Sequence, residues 1–328
     1  MIPQECNPEP MLQYWLTFVR IIRWPNLLFI FLTQLLFEYC VILPALRGTG
    51  ITPQLGVIDF SMITCTYLLL AAAGYIINDY FDLSIDVINK PDKVFIGNGI
   101  SKKGALSLYV GMNLMAIALA VVTGIRQHSP ALIVCVALSA LLLFCYSAIF
   151  KKRFLIGNLL VAVITASAIP ILILAEPAFE QMLSNQSIPI FKFIVNATLA
   201  YTCFAVVISF ARELIKDLED VKGDIMYGGR TIPIVLGTKV AHTIASVSLL
   251  GVIGMLFVIL PELWMNDKPV SIILIVYSVL LIISPLLWII YKVFSSDSPE
   301  DYHRLSTYIK GVMLTGILSM PLIQYLFA

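Results

Sequence analysis

Charge is scarce in this chain, and the common metal-binding and redox patterns are missing. Only 12% of its 328 residues are charged and 59% are hydrophobic, whereas about a quarter is charged in a typical soluble domain. The net charge of +1 provides no concentrated basic surface for a nucleic acid. Three scattered histidines and six cysteines without a CxxC pair argue against a zinc site or a disulfide framework. The composition is that of a multi-pass integral membrane protein, and we expect no nucleic-acid partner.

Long apolar segments make up most of the chain. About 20 apolar residues are needed for a helix to cross the hydrocarbon core of a bilayer. The segments near this length are nine, at roughly 24–44, 58–80, 104–125, 130–149, 155–175, 192–215, 238–261, 270–292 and 309–327. We therefore expect an all-α bundle of about nine transmembrane helices, surrounded by membrane lipids and formed by one domain over residues 1–328.

The acidic residues are concentrated at two places. The run NDYFDLSID ends the second apolar segment, and the run RELIKDLEDVKGD ends the sixth. Together with Asp92 just after the first run, they hold nine of the 20 acidic residues. An acidic side chain at the centre of a spanning helix costs roughly 2.5 to 3.5 kcal/mol, so two acidic clusters beside a membrane indicate function. Their separation by four segments suggests an internal duplication of a four-helix unit.

The spacing of these residues places their side chains on shared helix faces. The first set is Asn78, Asp82 and Asp86, and the second set is Glu213, Asp217, Asp220 and Asp224. Intervals of three and four residues put each set on one face. Because like charges at this spacing destabilise an isolated helix, we expect a cation between them. Mg²⁺ is the natural candidate, since it takes oxygen ligands and is typically held by one or two carboxylates plus substrate phosphates.

Basic residues predict which side of the membrane carries the acidic runs. Seventeen of the 21 Lys and Arg residues fall on the side of the N-terminus and of both acidic runs. Cytoplasmic loops carry an excess of Lys and Arg. We therefore expect both runs to lie on the cytoplasmic side.

Two other interpretations of the acidic runs stay open at this point. The carboxylates could pair with Lys90, Lys93, Lys216 and Lys222 in a solvated loop, although surface ion pairs contribute little. An ion-coupled transporter also carries carboxylates within the membrane. Transport carboxylates are expected near the midplane on broken helices, whereas these runs lie at helix ends.

The same two runs resemble a known family. NDYFDLSIDVINKPDK resembles the first aspartate-rich motif, NDxxDxxxD, of the UbiA superfamily of membrane prenyltransferases, and KDLEDVKGDIMYGGRTIPIVLG resembles the second motif and the loop after it. The nine-segment layout is similar too. The resemblance implies a bundle around a central cavity that opens at the cytoplasmic side and binds Mg²⁺ and a polyprenyl diphosphate.

The resemblance also implies roles for single residues. One ion would be held by Asn78, Asp82 and Asp86, and the other by Asp217, Asp220 and Asp224; the catalytic residues would be Asp82, Asp86, Asp217 and Asp220. The substrate-binding residues would be Lys90, Lys93 and Lys216 at the diphosphate, together with Asn26 and Asn78 in the cavity. Each lysine could equally be a positive-inside or snorkelling residue, and Asn26 could equally cap a helix.

Arg212 bears on the acceptor. Many members that prenylate aromatic rings carry a tyrosine four residues before the lysine that Lys216 matches, but here the residue is Arg212. The run around it is more similar to archaeal-type members that make digeranylgeranylglyceryl phosphate, and a guanidinium binds phosphate bidentately. We expect Mg²⁺-dependent transfer of a geranylgeranyl group to geranylgeranylglyceryl phosphate, with an aromatic quinone precursor as the alternative acceptor. Residues 94–98 read VFIGN where many relatives read PxPSG, which leaves the donor length open.

Overall fold

The computed structural model describes residues 8–47, 51–89, 94–151, 153–179, 188–264 and 268–326, and helices account for most of them. The α-helices are α1 (Pro8–Ile21), α2 (Trp24–Phe37), α3 (Leu43–Arg47), α4 (Val57–Asn89), α5 (Lys102–Arg126), α6 (Pro130–Cys145), α7 (Ile156–Ala166), α8 (Pro170–Ala175), α9 (Ile188–Met226), α10 (Ile232–Leu236), α11 (Thr238–Trp264), α12 (Pro269–Ser278), α13 (Ser284–Val293), α14 (Pro299–Leu318) and α15 (Met320–Ile323). Three π-helical turns follow α2, α6 and α12, at Glu38–Ile42, Tyr146–Phe150 and Val279–Ile283.

Eight helical stretches among the described residues are long and apolar enough to cross a membrane. They are Trp24–Arg47, Val57–Asn89, Lys102–Arg126, Pro130–Phe150, Pro189–Met226, Thr238–Pro261, Pro269–Val293 and Pro299–Leu326. The prediction of an all-α, polytopic bundle of about nine spans is thereby confirmed, with one difference. The fifth predicted segment, 155–175, is divided into α7 and α8.

Pro170 explains the division of that fifth segment. A proline has no N–H to donate and its ring clashes with the carbonyl four residues earlier, which here belongs to Ala166. Helix α7 ends at Ala166, and α8 begins at Pro170. Apolar composition alone could not predict this break, because every residue between the two helices is small or apolar.

Helix α9 is the central element of the bundle. It packs against α7, α11 and α14, and it also contacts α4. Both α4 and α9 continue past the apolar part of their sequences, to Asn89 and to Met226. The acidic runs therefore form the last turns of two neighbouring helices.

Two large apolar cores hold the bundle together. One is built mainly from α2 to α8 and includes Phe37, Tyr67 and Leu172; the other is built mainly from α9 to α14 and includes Leu214 and Leu286. Helix α9 contributes side chains to both cores. The single domain over 1–328 and the four-helix duplication stay predictions.

The entrance to the first span has an unusual backbone. Arg23 links α1 to α2 with a φ of 53°, in the left-handed region that non-glycine residues rarely adopt. This turn directs the Arg23 side chain toward α4, where its Nη2 donates to Asp79 Oδ1 at 2.6 Å. Helix α1 itself was not among the predicted segments, since it is too short and too polar to span.

Candidate functional site

Helices α4 and α9 bring the two acidic runs together at one cleft. Its lining residues are Asp82, Ile85, Asp86 and Asn89 from α4, Lys151, and Asp217, Asp220 and Asp224 from α9. Five carboxylates predicted as ligands thus share one small volume. Asn78, predicted with the first set, is buried at 8% exposure two turns before Asp86 and is not among the lining residues.

Asn89 connects the end of α4 to the end of α9 by hydrogen bonds. Its Nδ2 donates to the backbone oxygen of Asp220 at 3.0 Å, and its Oδ1 accepts from the backbone N–H of Gly223 at 2.9 Å. A Cβ at position 223 would lie 2.5 Å from the Asn89 amide atoms, so any larger residue would push this amide out of its position. This pair of hydrogen bonds fixes the register between the two acidic runs, a role that was not predicted from the sequence for either residue.

Lys151 provides positive charge inside the cleft. It follows the π-helical turn after α6, and its ammonium forms an ion pair with the buried carboxylate of Asp82. Burial by itself would lower the pKa of Lys151, but the negative charges of Asp82 and Asp86 outweigh burial and hold this pKa above its usual value. The side chain therefore stays protonated at neutral pH. From the sequence, Lys151 was expected only to contribute to membrane orientation.

Asn158 on α7 positions one of the α9 carboxylates. Its Nδ2 donates to Asp217 Oδ2 at 2.7 Å, and the residue is 6% exposed. The hydrogen bond ties α7 to α9 at the level of the cleft. Its only signal in the sequence was an amide at the head of an apolar segment.

The donor set suits a hard divalent cation. All five carboxylates offer oxygen ligands, and Mg²⁺ prefers such ligands together with water and substrate phosphates. Among the described residues, no three Asp, Glu, His or Cys side chains are already drawn together around one point. The Lys151 ammonium forms an ion pair with Asp82 and so offsets part of the repulsion among the five carboxylates. The cleft thus fits the predicted ions in chemistry, while the assignment of single ligands stays a prediction.

A second group of charges lies one turn earlier on α9. Lys216 Nζ donates to both oxygens of Glu213 at 2.9 Å, and Arg212 Nη1 donates to Glu213 Oε1 at 3.1 Å. Glu213 was predicted to share a face with the α9 aspartates. In the structure it is paired with the two cations and does not line the cleft.

The first and last spans contribute further polar residues near this group. Lys310 Nζ on α14 donates to Asn26 Oδ1 on α2 at 3.0 Å. The Arg23 guanidinium lies 5.0 Å from the centre of the Tyr75 ring, in addition to its ion pair with Asp79. Burial alone would lower the pKa of Arg23, but the adjacent Asp79 carboxylate holds it above its usual value. Of the predicted substrate-binding residues, Asn26, Arg212 and Lys216 lie in this region, and Lys90 and Lys93 lie outside the described residues.

Comparison with known sequences gives one family and a consistent group of relatives. The sequence model of the UbiA prenyltransferase family matches residues 39–310. The digeranylgeranylglyceryl phosphate synthase of Methanosphaera stadtmanae is 28% identical over 260 residues, which are 79% of this chain and 85% of that protein. The synthase of the same name from Saccharolobus solfataricus is 30% identical over 256 residues, 77% of this chain and 80% of that protein.

Comparison with solved structures supports the same fold. A structure of a digeranylgeranylglyceryl phosphate synthase aligns with a TM-score of 0.60 at 19% identity, covering 95% of this chain and 98% of that one. A UbiA homologue from Archaeoglobus fulgidus bound to DMAPP and Mg²⁺ aligns with a TM-score of 0.56 at 14% identity, covering 91% and 98%. At these identities the likeness establishes the arrangement of helices.

Proposed function

The chain belongs to the UbiA prenyltransferase family, and we propose that it uses Mg²⁺ to transfer a geranylgeranyl group from its diphosphate to geranylgeranylglyceryl phosphate. The observation that carries the proposal is the cleft between α4 and α9, where five carboxylates and Lys151 meet. The family match over residues 39–310 includes both acidic runs. Membership in an enzyme family decides against the ion-coupled transporter.

The residues of the cleft would have three different roles: binding Mg²⁺, positioning the helices, and stabilising the departing pyrophosphate. Asp82 and Asp86 would hold one Mg²⁺ ion, and the α9 aspartates would hold the other. When bound, the ions would neutralise the diphosphate and stabilise it as a leaving group. Asn158 and Asn89 keep the ligand-bearing helices in position. Lys151, which lines the cleft, would add positive charge at the departing pyrophosphate.

The reaction that follows is a substitution at the first carbon of the prenyl chain. The bond from this carbon to the diphosphate oxygen breaks, and the electron pair leaves with pyrophosphate. The free hydroxyl of the acceptor forms the new ether bond, and its proton passes to the departing pyrophosphate. The allylic cation character that develops requires a site from which water is excluded, which apolar spans around the cleft would supply.

Two observations favour a phosphorylated glyceryl ether as acceptor. Relatives that share 28–30% identity over most of both chains carry the name digeranylgeranylglyceryl phosphate synthase. Arg212 stands where many members that prenylate rings have a tyrosine, and its guanidinium suits a phosphate. An aromatic acceptor is the alternative that the same assay tests.

The active cleft is proposed to face the cytoplasm. Arg23 forms an ion pair with Asp79 and Lys151 with Asp82, so two basic residues lie beside the first acidic run. The excess of Lys and Arg on this side supports a cytoplasmic orientation.

Purified protein in detergent tests the function directly. With geranylgeranyl diphosphate and geranylgeranylglyceryl phosphate, pyrophosphate release should require Mg²⁺ and the acceptor. Asp82→Asn and Asp220→Asn should each lower turnover by at least about 100-fold, as is typical when a preorganised charge-stabilising group is lost. Glu300→Gln, at an exposed carboxylate of α14, is the matched control and should stay near wild type. Full turnover in both aspartate variants would contradict the assigned roles.

A further inference from the structure

Four cations converge near the cleft from three parts of the chain. They are Arg23 before α2, Arg212 and Lys216 on α9, and Lys310 on α14, and we call them the basic cluster. Two contacts bring Lys310 to this group: its Nζ donates to Asn26, three residues after Arg23, and its neighbour Ile309 packs in the same apolar core as Ala211 and Ile215 of α9. The turn before the first spanning stretch, the fifth stretch and the last stretch therefore bring like charges close to one another.

The basic cluster has more positive charge than its protein partners neutralise. Among the described residues, the carboxylates that accept hydrogen bonds from these cations are Asp79, from Arg23, and Glu213, shared by Arg212 and Lys216. Lys310 donates to the neutral amide oxygen of Asn26.

The Nε–H group of Arg212 is a hydrogen-bond donor that a ligand could use. Its Nε is buried and has no hydrogen-bond partner among the described residues. A buried donor left unsatisfied destabilises the protein, and the repulsion between neighbouring like charges adds to that cost. An anion bound here would remove both costs.

The basic cluster lies beside the carboxylate cleft that is proposed to hold the donor diphosphate. Its position therefore suits a second anion. Arg212 precedes Asp217 by five residues on α9, about 7.5 Å along the axis at a rise of 1.5 Å per residue. A glyceryl phosphate carries its phosphate only a few covalent bonds from its reacting hydroxyl. A phosphate in the basic cluster would thus leave that hydroxyl near the diphosphate end of the donor.

We propose that the basic cluster binds the phosphate monoester of the acceptor, and that Lys310, held in place by Asn26, makes the enzyme select phosphorylated acceptors over neutral ones. The proposal rests on the proposed function and adds a specificity residue from the last span. Arg212 would contact the phosphate from α9 and Lys310 from α14. The phosphate would complete the hydrogen bonding of Arg212 Nε.

Steady-state kinetics of Lys310→Met test this specificity. Methionine keeps much of the length and apolar stem of lysine while removing the charge. The KM for geranylgeranylglyceryl phosphate should rise about 10- to 100-fold, the range expected for a lost charge-assisted hydrogen bond. The KM for geranylgeranyl diphosphate and the activity with phosphate-free geranylgeranylglycerol should change less than about twofold on the same scale. Lys310→Arg should recover most of the selectivity, and Lys239→Met, at an exposed lysine of α11, should behave as wild type.

Two other kinetic results would contradict the proposal. If the Lys310→Met substitution raises the donor KM and leaves the preference for the phosphorylated acceptor intact, the cluster binds the diphosphate and the proposal is wrong. Unchanged kinetics for both substrates would also overturn it.

Binding separates failure of this inference from failure of the proposed function. Geranylgeranylglyceryl phosphate should raise the unfolding temperature of the wild-type protein in detergent, geranylgeranylglycerol should not, and Lys310→Met should abolish the difference. If wild type shows this difference but forms no product, the phosphate site stands and the proposed reaction fails. Product formation without any such difference would refute the phosphate site alone.

Discussion

Single side chains decide how two acidic helices can lie side by side. Lys151 supplies a cation to Asp82, and Asn158 donates a hydrogen bond to Asp217. The role of neither Lys151 nor Asn158 in the cleft could be predicted from the sequence. Lys151 follows a π-helical turn, whose extra residue shifts the direction of the side chains after it, so the basic run after the fourth segment did not reveal which lysine turns inward.

Another π-helical turn carries a carboxyl group with an unusual environment. Glu38 is 2% exposed, and neither of its carboxyl oxygens has a hydrogen-bond partner among the described residues. The neighbouring Glu176 is equally buried, but its oxygens accept backbone N–H groups of Gln54, Leu55 and Ala178. The two residues are a natural matched pair.

Glu38→Met should therefore stabilise the protein. It removes two buried carboxyl oxygens without partners among the described residues, and an unsatisfied buried polar group costs about 1–3 kcal/mol. Glu176→Met should destabilise by a similar amount, because it removes the acceptors of three backbone N–H groups. Thermal unfolding in detergent should show opposite shifts. A loss of stability in both variants would indicate that Glu38 has a partner in solution.

At the scale of helices, the contact between α4 and α9 depends on Asn89 and Gly223. Gly223→Ala should lower the free energy of unfolding by about 1–3 kcal/mol, the usual cost of overpacking, and should reduce turnover as the carboxylates shift. The reason is the 2.5 Å approach of the new Cβ to the Asn89 amide. Chemical or thermal unfolding and the pyrophosphate assay measure the two effects.

A glycine with open space around an added Cβ provides the control for this substitution. Gly254 on α11 has no atom within 4 Å of an added Cβ, so Gly254→Ala should be neutral or stabilise by up to about 1 kcal/mol. Combining Gly223→Ala with Asn89→Ala should restore part of the stability lost to the clash, since contacting residues are not additive. Purely additive losses would argue against this contact.

The elements themselves were predicted to different extents. Long apolar runs predicted the spanning helices well, because the bilayer sets their length. The division of segment 155–175 at Pro170 and the short helix α1 were missed. The three π-helical turns were missed as well, since no hydrophobic period distinguishes a π turn from an α turn.

For the whole molecule, helix periodicity predicted that each aspartate set shares one helix face, and the family resemblance implied that both sets line one cavity. Neither could predict the basic cluster, because Arg23, Arg212 and Lys310 lie far apart in sequence. Only the packing of α9 against α14, with α2 beside them, brings these cations together. The tertiary arrangement, rather than any local motif, thus defines the proposed phosphate site.

Orientation in the membrane is a further property of the whole molecule. In a background without native cysteines, Lys103→Cys at the start of α5 should react with an impermeant thiol reagent only after intact cells are permeabilised. Arg47→Cys at the end of α3 should react in intact cells. Both side chains are exposed and lie at opposite ends of the bundle. The reverse pattern would place the cleft outside the cytoplasm.

The identity of the lipid product tests the central claim most directly. Purified protein would be incubated with Mg²⁺, isotopically labelled geranylgeranyl diphosphate and an equal mixture of geranylgeranylglyceryl phosphate and an aromatic quinone precursor, and the lipids analysed by mass spectrometry. We predict that the label appears in digeranylgeranylglyceryl phosphate, and only when Mg²⁺ is present. Label found in the prenylated ring, with none in the ether lipid phosphate, would contradict the account.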